Sequence, residues 1–177
     1  MFYLIQLTLE YCEQVYEIAR EYLPEHWSLD GIRDVLKYEN NIYYVAVLSQ
    51  DEINHEEVSG IKVCDMVNES DKVAIMNIIS RQVIGFGGIM IVADEAELLN
   101  LAITEKYRGM NIASDLMDVL IGEAKAKACV RMLLEVRQSN KAAQHLYKKK
   151  KFTELGVRKN YYDNPIEDAI IMELQLL

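Results

Sequence analysis

A polar loop in the second half of the chain reads Tyr107-Arg108-Gly109-Met110-Asn111-Ile112-Ala113. It connects a predicted strand, Ala96–Ile103, to a predicted helix, Ile112–Ala128. Small or turn-tolerant residues recur at every second position from Gly109, so backbone N–H groups in the loop can point outward. The start of the following helix adds the positive end of its dipole. The loop therefore predicts a binding site for a phosphate or pyrophosphate group, although it has neither the Gly-Lys-Ser/Thr of a Walker loop nor the glycines of a dinucleotide fingerprint.

The segments on either side of this loop predict an α/β chain. The predicted elements, in order, are a strand at 2–7, a helix capped by Thr8 and running to about Tyr22, a short helix capped by Ser28, strands at Ile42–Ser49, Val83–Ala93 and Ala96–Ile103, the helix Ile112–Ala128, a buried strand at Met132–Val136, a helix capped by Ser139 and reaching about Lys149, and two final strands at Phe152–Tyr162 and Asp168–Leu176. This order predicts one domain spanning residues 1–177, with a mixed, mostly antiparallel central sheet flanked by helices.

Residues 51–81 are predicted to be an insertion between two strands of the sheet. Val58–Met66 and Lys72–Ser80 are both strand-like, and residues 67–71 between them have the composition of a turn. The segment therefore predicts an inserted hairpin, with an amphipathic lid as the alternative. A different glycine-rich stretch, residues 85–88, lies inside a predicted strand and indicates close packing or a bulge.

Composition excludes several classes of protein. The chain has 177 residues, of which 51% are hydrophobic and 27% charged, as is typical of a globular protein. The net charge of −9 disfavours generic nucleic-acid binding. The longest nearly apolar run, residues 83–93, is shorter than the ~20 residues of a membrane span. We therefore expect a protein that acts without a membrane and without direct nucleic-acid contact.

The cysteines and the first residues predict a reducing, cytoplasmic location. The three cysteines, Cys12, Cys64 and Cys129, are odd in number and far apart, which argues against a disulfide framework. The first basic residue is Arg20, so no positively charged region of a secretory signal is expected. The sequence gives no indication of the oligomeric state.

Basic residues are concentrated in one window. Residues 137–159 contain eight basic residues and one acidic residue, a local charge of +7, so the rest of the chain carries −16. This asymmetry predicts two partners, one anionic near the C-terminal third and one cationic elsewhere. For the run Lys148–Lys151, contact with an anionic ligand and a solvated helix face both remain open.

Two residues are candidates for proton transfer. Glu135 lies among apolar strand residues, where a carboxylate is costly unless it is exposed, paired or functional. Exposure, a pair with Arg137, and action as a general base with a raised pKa are the alternatives. Tyr147 follows Leu146 on the predicted helix, where packing in the core and action as a protonated acid are both possible.

No metal site is expected. The histidines His26, His55 and His145 have no ligand spacing, and neither Cys-x-x-Cys nor His-Glu-x-x-His occurs. The absence of Gly-x-Ser-x-Gly excludes one class of hydrolase.

These motifs, in this order, resemble the GNAT superfamily of acetyl-CoA-dependent N-acetyltransferases. The phosphate loop of that family is Arg/Gln-x-x-Gly-x-Gly/Ala, and Arg108-x-x-Asn111-x-Ala113 is similar to it. Asn111 replaces the middle glycine, and asparagine tolerates the left-handed conformation better than most residues. Lys151 stands where the family normally has the glycine of a Gly-Phe pair.

Longer stretches resemble the RimI-type branch, which acetylates the N-terminal alanine of a small-subunit ribosomal protein. The similar stretches are Glu97-Leu98-Leu99-Asn100-Leu101-Ala102-Ile103, Leu134-Glu135-Val136-Arg137-x-Ser139-Asn140-x-Ala142-Ala143, Leu146-Tyr147, Arg158-Lys159-Asn160-Tyr161-Tyr162 and Glu167-Asp168-Ala169-Ile170-Ile171-Met172. The similarity is strong over residues 82–177 and weaker over residues 1–49.

The resemblance implies a role for each matching residue. Glu135 matches the general base and Tyr147 the general acid that protonates the leaving thiolate. The residues that would bind acetyl-CoA are the strand residues Leu101, Ala102 and Ile103, the loop and helix residues Arg108, Gly109, Met110, Asn111, Ile112, Ala113 and Ser114, and Asn140. No metal is implied. Tyr161 and Tyr162 are candidate contacts to the acceptor, with cross-strand aromatic packing as the alternative.

The chemistry is consistent with a protein N-terminus as acceptor. An α-amine, with a pKa of about 8, is about 10% neutral at pH 7, whereas lysine, at about 10.4, is neutral below about 0.1%. Backbone N–H groups near Ile103 would stabilise the developing oxyanion, and direct transfer requires no nucleophilic cysteine. The acidic remainder of the chain would attract a basic ribosomal protein.

Two other functions remain open. One is an acetyltransferase of the same superfamily that acts on a small amine or on lysine, with residues 51–81 reshaping the acceptor pocket. The other is a module without catalytic activity that binds acyl-CoA or a protein partner, which the replacement at Asn111 would suggest.

Overall fold

The computed structural model describes residues 2–23, 27–48 and 82–177, and within them the predicted α/β fold is confirmed. Its elements, in order, are β1 (Phe2–Gln6), a 3₁₀ turn (Leu9–Tyr11), α1 (Cys12–Tyr22), α2 (Leu29–Val35), β2 (Asn41–Leu48), β3 (Val83–Val92), β4 (Glu95–Ile103), a second 3₁₀ turn (Glu105–Tyr107), α3 (Ile112–Ala126), β5 (Arg131–Arg137), α4 (Lys141–Lys149), β6 (Thr153–Asp163) and β7 (Ile166–Gln175). The predicted insertion at 51–81 lies outside the described residues.

The described strands form one seven-stranded sheet in the order β1-β2-β3-β4-β5-β7-β6. The pair β4–β5 is parallel, and every other neighbouring pair in this sheet is antiparallel. The parallel pair is connected through α3, as a crossover requires. The predicted mixed, mostly antiparallel sheet is therefore confirmed.

Helices cover both faces of the sheet. On one face, α3 contributes Met117 and Leu120 to a buried cluster with Met132 and Leu134 of β5. On the other face, α1 and α2 pack against β2 and β3 in a second cluster that includes Phe86. The apolar residues of α3 therefore face the core, and their burial stabilises the helix.

Strand β4 carries a bulge at Leu99 and then separates from β5. Ile89 of β3 pairs with Leu98, and the preceding Gly88 pairs with Asn100, so Leu99 has no register partner. The pairing of β4 with β5 ends at Glu97, opposite Leu133. Beyond this point the two strands have no register pairs, and the side of β4 that faces β5 is left open.

Two of the predicted helix caps differ in the structure. Thr8 precedes the first 3₁₀ turn, but its side chain makes no capping hydrogen bond. Asn140, not Ser139, caps α4, because its Oδ1 accepts a hydrogen bond from the backbone N–H of Ala143 at 3.1 Å. The predicted Ser28 cap is confirmed, since its Oγ accepts from the N–H of Gly31 at 3.0 Å.

The glycines of β3 serve close packing, as predicted. A Cβ added to Gly88 would lie 2.2 Å from Cε1 of Tyr43, and one added to Gly85 would lie 2.5 Å from Cδ1 of Ile103. Tyr43 is buried, and its hydroxyl accepts a hydrogen bond from Nδ2 of Asn100 at 3.2 Å. The ring therefore has little room to move away from Gly88.

Two cysteines in the described part of the chain, Cys12 and Cys129, are free and buried, and burial raises the pKa of each thiol.

In the described part of the chain, none of the helices has the length and apolar content that crossing a membrane requires.

We expect Gly88→Ala to lower the free energy of unfolding by about 1–3 kcal/mol, because the added methyl group overpacks against the Tyr43 ring. Gly122→Ala is the matched control, since Gly122 lies on α3 with open space around it. That variant is expected to gain about 0.5–1 kcal/mol from helix propensity. Urea unfolding measures both values, and equal stability of the two variants would contradict the packing argument.

Candidate active site

Two cavities meet where β4 and β5 separate. The first, here the carboxylate cavity, has a volume of about 700 Å³ and is lined by Glu97, Glu135 and the β6–β7 hairpin. The second, here the loop cavity, has a volume of about 580 Å³ and is lined by the 107–114 segment and α4. Four residues line both cavities: Tyr22, Leu101, Asn140 and Tyr147. The site is therefore one cleft with two compartments.

The loop cavity brings together nearly all of the residues predicted to bind a phosphate-containing ligand. Its lining includes Leu101, Ala102, Ile103, Arg108, Gly109, Asn111, Ile112, Ala113, Ser114 and Asn140. Met110 is the exception, because it does not line the cavity and its side chain is 55% exposed. The lining also includes Tyr107 of the quoted loop and Lys149 of the basic run, together with Tyr22 and His145, which the sequence did not identify.

The loop reaches the helix through two left-handed residues. Gly109 has φ +78° and Asn111, which precedes α3, has φ 62°. Asn111 therefore adopts the left-handed conformation that asparagine tolerates, and its effect on ligand binding stays a prediction. A Cβ at Gly109 would meet no atom within 4 Å, so the backbone at this point borders open space. The first N–H groups of α3 have no partner within the helix and remain available to an anion.

Arg108 joins the loop to the end of β4 and to α1. Its Nε donates to the carbonyl oxygen of Ile103 at 3.2 Å, and its guanidinium lies 5.0 Å from the centre of the Tyr22 ring. Because Nε is used within the protein, Arg108 supports the cavity wall as well as contributing positive charge.

Glu135 lies on β5 and opens into the carboxylate cavity. Its Oε1 accepts a hydrogen bond from Nη1 of Arg158 at 2.7 Å, and its Oε2 lies 3.4 Å from the Tyr161 hydroxyl. The alternative of a pair with Arg137 is wrong, because Arg137 pairs with Glu167. Glu135 is about 20% exposed, which leaves its carboxylate accessible from the cavity.

Glu97 is a second carboxylate in this cavity, and no role was predicted for it from the sequence. It is in register with Leu133, two positions before Glu135 on the neighbouring strand. Burial raises the pKa of Glu97, and the charge of Glu135 raises it further, while Arg158 opposes the shift. The period of two on paired parallel strands could have indicated that Glu97 and Glu135 share one face.

Tyr147 lies on α4 at the wall between the two cavities. Its ring is buried and packs against Phe152, with 5.9 Å between ring centres. Burial raises the pKa of Tyr147, and the neighbouring Tyr162 contributes in the same direction. The hydroxyl is therefore protonated at neutral pH. Packing in the core is confirmed for this residue, which also lines the cleft, and its action as an acid stays a prediction.

The β6–β7 hairpin closes the carboxylate cavity. Tyr161 and Tyr162 pack edge to face, with 5.0 Å between ring centres, rather than across strands. Arg158 lies over the Tyr161 ring at 4.9 Å, and Arg137 lies over the Tyr162 ring at 4.0 Å. Both tyrosines line the cavity, so they can contact a ligand there.

The run Lys148–Lys151 is divided between ion pairs and the loop cavity. Lys148 pairs with Glu154 at 2.7 Å, and Lys150 pairs with Asp118 at 2.6 Å. Lys149 lines the loop cavity. Lys151 adopts φ 73°, the conformation that a glycine would occupy without strain. The run therefore combines structural ion pairs with one cation beside the cavity. No group of three or more His, Cys, Asp or Glu residues in the described part of the chain is arranged to hold a metal ion.

Comparisons with known proteins agree with this geometry. The model of the acetyltransferase (GNAT) family matches residues 12–152. A relative from Haemophilus influenzae, named [ribosomal protein bS18]-alanine N-acetyltransferase, is 41% identical over 100 residues, which are 55% of this chain and 68% of the relative. A relative from Bacillus subtilis is 46% identical over 88 residues, which are 50% of this chain and 58% of the relative. The chain thus spans little more than half the length of that relative.

A comparison of folds agrees with the comparison of sequences. The crystal structure of the ribosomal-protein-S18-alanine N-acetyltransferase from Escherichia coli superposes with a TM-score of 0.73 and 25% identity, covering 99% of this chain and 94% of that one. The resemblance predicted from the motifs of the sequence is therefore confirmed, and the chain belongs to the acetyltransferase (GNAT) family.

Proposed function

We propose that this protein transfers an acetyl group from acetyl-CoA to the N-terminal α-amine of a protein, with the N-terminal alanine of a ribosomal protein as its acceptor. The observation that carries the proposal is the cleft with two compartments, in which Tyr147 lines both and Glu135 only the carboxylate cavity. Membership of the GNAT family and the names of the bS18-alanine N-acetyltransferase relatives support the choice of reaction and acceptor.

The loop cavity fits acetyl-CoA. The open space at Gly109 and the free N–H groups at the start of α3 suit a pyrophosphate, because nothing blocks a close approach of the backbone. The open side of β4 at Leu101–Ile103 can hydrogen-bond a pantetheine chain. Lys149 supplies a cation beside the cavity. When bound, acetyl-CoA supplies an activated thioester, and side chains of the cleft transfer the protons.

Glu135 would act as the general base. Its carboxylate lines the cavity, where it can take a proton from the attacking amine directly or through one water molecule. As the bond between carbonyl carbon and sulfur breaks, Tyr147 would donate its hydroxyl proton to the sulfur. Because burial keeps this phenol protonated, it is ready as a donor throughout the neutral pH range.

The carboxylate cavity suits a cationic acceptor. Among the described residues, Arg158 is the guanidinium that pairs with Glu135 and acts on Glu97, so these two carboxylates carry excess negative charge when both are ionised. An incoming α-ammonium group would reduce the repulsion between them. Because an α-amine loses its proton far more readily than a lysine, a carboxylate base is adequate for the former.

A competition experiment tests the acceptor. The protein and acetyl-CoA are mixed with two peptides, one with a free N-terminal alanine and one blocked at its N-terminus with an internal lysine. We expect acetylation of the α-amine alone, observed by mass spectrometry. Modification of the lysine would indicate a GNAT enzyme with a different acceptor, and binding of acetyl-CoA without transfer to either peptide would indicate a module without catalytic activity.

Substitutions at the two proton-transfer residues test the mechanism. We expect Glu135→Gln to lower kcat by about 10²–10⁴, because the amide cannot accept the proton. Tyr147→Phe is expected to lower kcat by at least about tenfold, since a donor to the sulfur is lost. Tyr38→Phe removes an exposed hydroxyl outside the cleft and is the control. Initial rates near wild type for both site variants would show that this mechanism is wrong.

The left-handed residue before α3 gives a test of the loop. We expect Asn111→Gly to bind acetyl-CoA at least as tightly as wild type, because glycine adopts φ 62° without strain. Asn111→Val is expected to bind at least about tenfold more weakly, since a β-branched residue disfavours this conformation. Calorimetry of acetyl-CoA binding measures both dissociation constants. Equal values for the two variants would show that the conformation of the loop does not determine how tightly acetyl-CoA binds.

A further inference from the structure

The wall of the carboxylate cavity that carries Tyr161 and Tyr162 belongs to an edge strand. β6 pairs with β7 and has no other neighbour in the described sheet. Nearly all of its residues are exposed. An edge strand with one neighbour has fewer backbone contacts than an interior strand, so additional contacts must fix its position.

The ladder between β6 and β7 is interrupted where the wall faces the cavity. Arg158 pairs with Ala169 and Tyr162 with Glu167, so β6 takes four steps while β7 takes two. Asn160, within the extra length, has φ 51°. Tyr161 is therefore presented from a bulge, which regular strand pairing does not hold in place.

Asp168 holds this bulge. Its Oδ1 accepts a hydrogen bond from the backbone N–H of Asn160 at 2.9 Å, and its Oδ2 accepts from Nζ of Lys159 at 2.6 Å. These hydrogen bonds, that of Lys159 first, lower the pKa of Asp168. The carboxylate thus stays ionised and substitutes for the missing ladder bonds.

Glu167 holds the other end of the hairpin wall that carries Tyr161 and Tyr162. Burial acts to raise its pKa, but hydrogen bonds from Ser139 and Arg137 outweigh it and lower the pKa of Glu167. The Ser139 backbone N–H and Oγ both donate to this carboxylate, the latter at 3.1 Å, and Nη1 of Arg137 donates to it at 3.3 Å. Ser139 lies two residues before α4, so Glu167 connects the hairpin to the start of the helix that carries Tyr147.

Arg137 extends this contact to the turn. Its guanidinium donates to the carbonyl oxygens of Asn164 at 3.2 Å and Pro165 at 3.3 Å, and it stacks over the Tyr162 ring. Both Arg137 and Glu167 are less than one-fifth exposed, so water competes little for these bonds.

We propose that Glu167 and Asp168 are positioning residues for the peptide acceptor: adjacent carboxylates on β7 that hold the two tyrosines of the hairpin against the carboxylate cavity. This inference rests on the proposed function. It assigns both residues to acceptor binding, through Tyr161 and Tyr162, and gives them no part in binding acetyl-CoA.

The test compares Glu167→Gln and Asp168→Asn with the matched control Glu154→Gln. Glu154 also lies on the hairpin, and its ion pair with Lys148 is outside the wall. We expect both site variants to raise KM for the alanine peptide about tenfold, while KM for acetyl-CoA stays within about twofold, because misplacing a binding group is costly.

Hydrogen exchange at the Asn160 amide is expected to accelerate in Asp168→Asn, with amides of α3 unchanged. The control should match wild type.

Ser139→Ala provides a milder variant in case Glu167→Gln does not fold, because it removes one hydrogen bond and leaves the carboxylate in place. A smaller rise in peptide KM supports the inference. Unchanged peptide KM in the folded variants, or an equal rise in Glu154→Gln, overturns it. A wild-type protein that acetylates no α-amine instead overturns the proposed function, and the inference with it.

Discussion

The end of strand pairing between β4 and β5 is the constraint on which the site depends. The ladder stops at Glu97, opposite Leu133, and the bulge at Leu99 follows at once. A bulge re-aims the side chains that follow it and alters the local twist. Two parallel strands that remained paired would leave no room for the cleft. Because they separate, the backbone of β4 beyond Glu97 has no strand partner on one side, and both cavities open there.

Two arginines near the cleft form ion pairs with two different glutamates. Arg158 forms an ion pair with Glu135, whereas Arg137 forms one with Glu167. If Arg137 paired with Glu135, as the spacing on β5 allowed, the hairpin turn would lose its main donor. Glu97 receives no such partner from the described residues, and its raised pKa is the electrostatic consequence of burial beside Glu135.

Much of the fold and the loop cavity could be predicted from the sequence, because both depend on local patterns. Apolar periodicity located the strands and α3, and the turn-tolerant residues located the loop, including the left-handed Asn111. Met110 belongs to the same loop but does not line the cavity, and its place in the sequence did not reveal the direction of its side chain. The carboxylate cavity was less predictable: Glu97 approaches Glu135 only through pairing of distant strands, and the partner of Glu135 comes from β6. Local patterns do not give such contacts.

The position of Tyr147 has a consequence for how acceptor preference can evolve. Its ring belongs to the main core, packed against Phe152, while its edge forms the wall between the two compartments. Replacing it to accommodate a different acceptor would leave a void or a strained contact in the core, at a cost of several kcal/mol. Exposed residues of the hairpin carry no such cost. New acceptor preferences are therefore more accessible through changes on β6 than through changes on α4, so the family's chemistry can be conserved while its targets diversify.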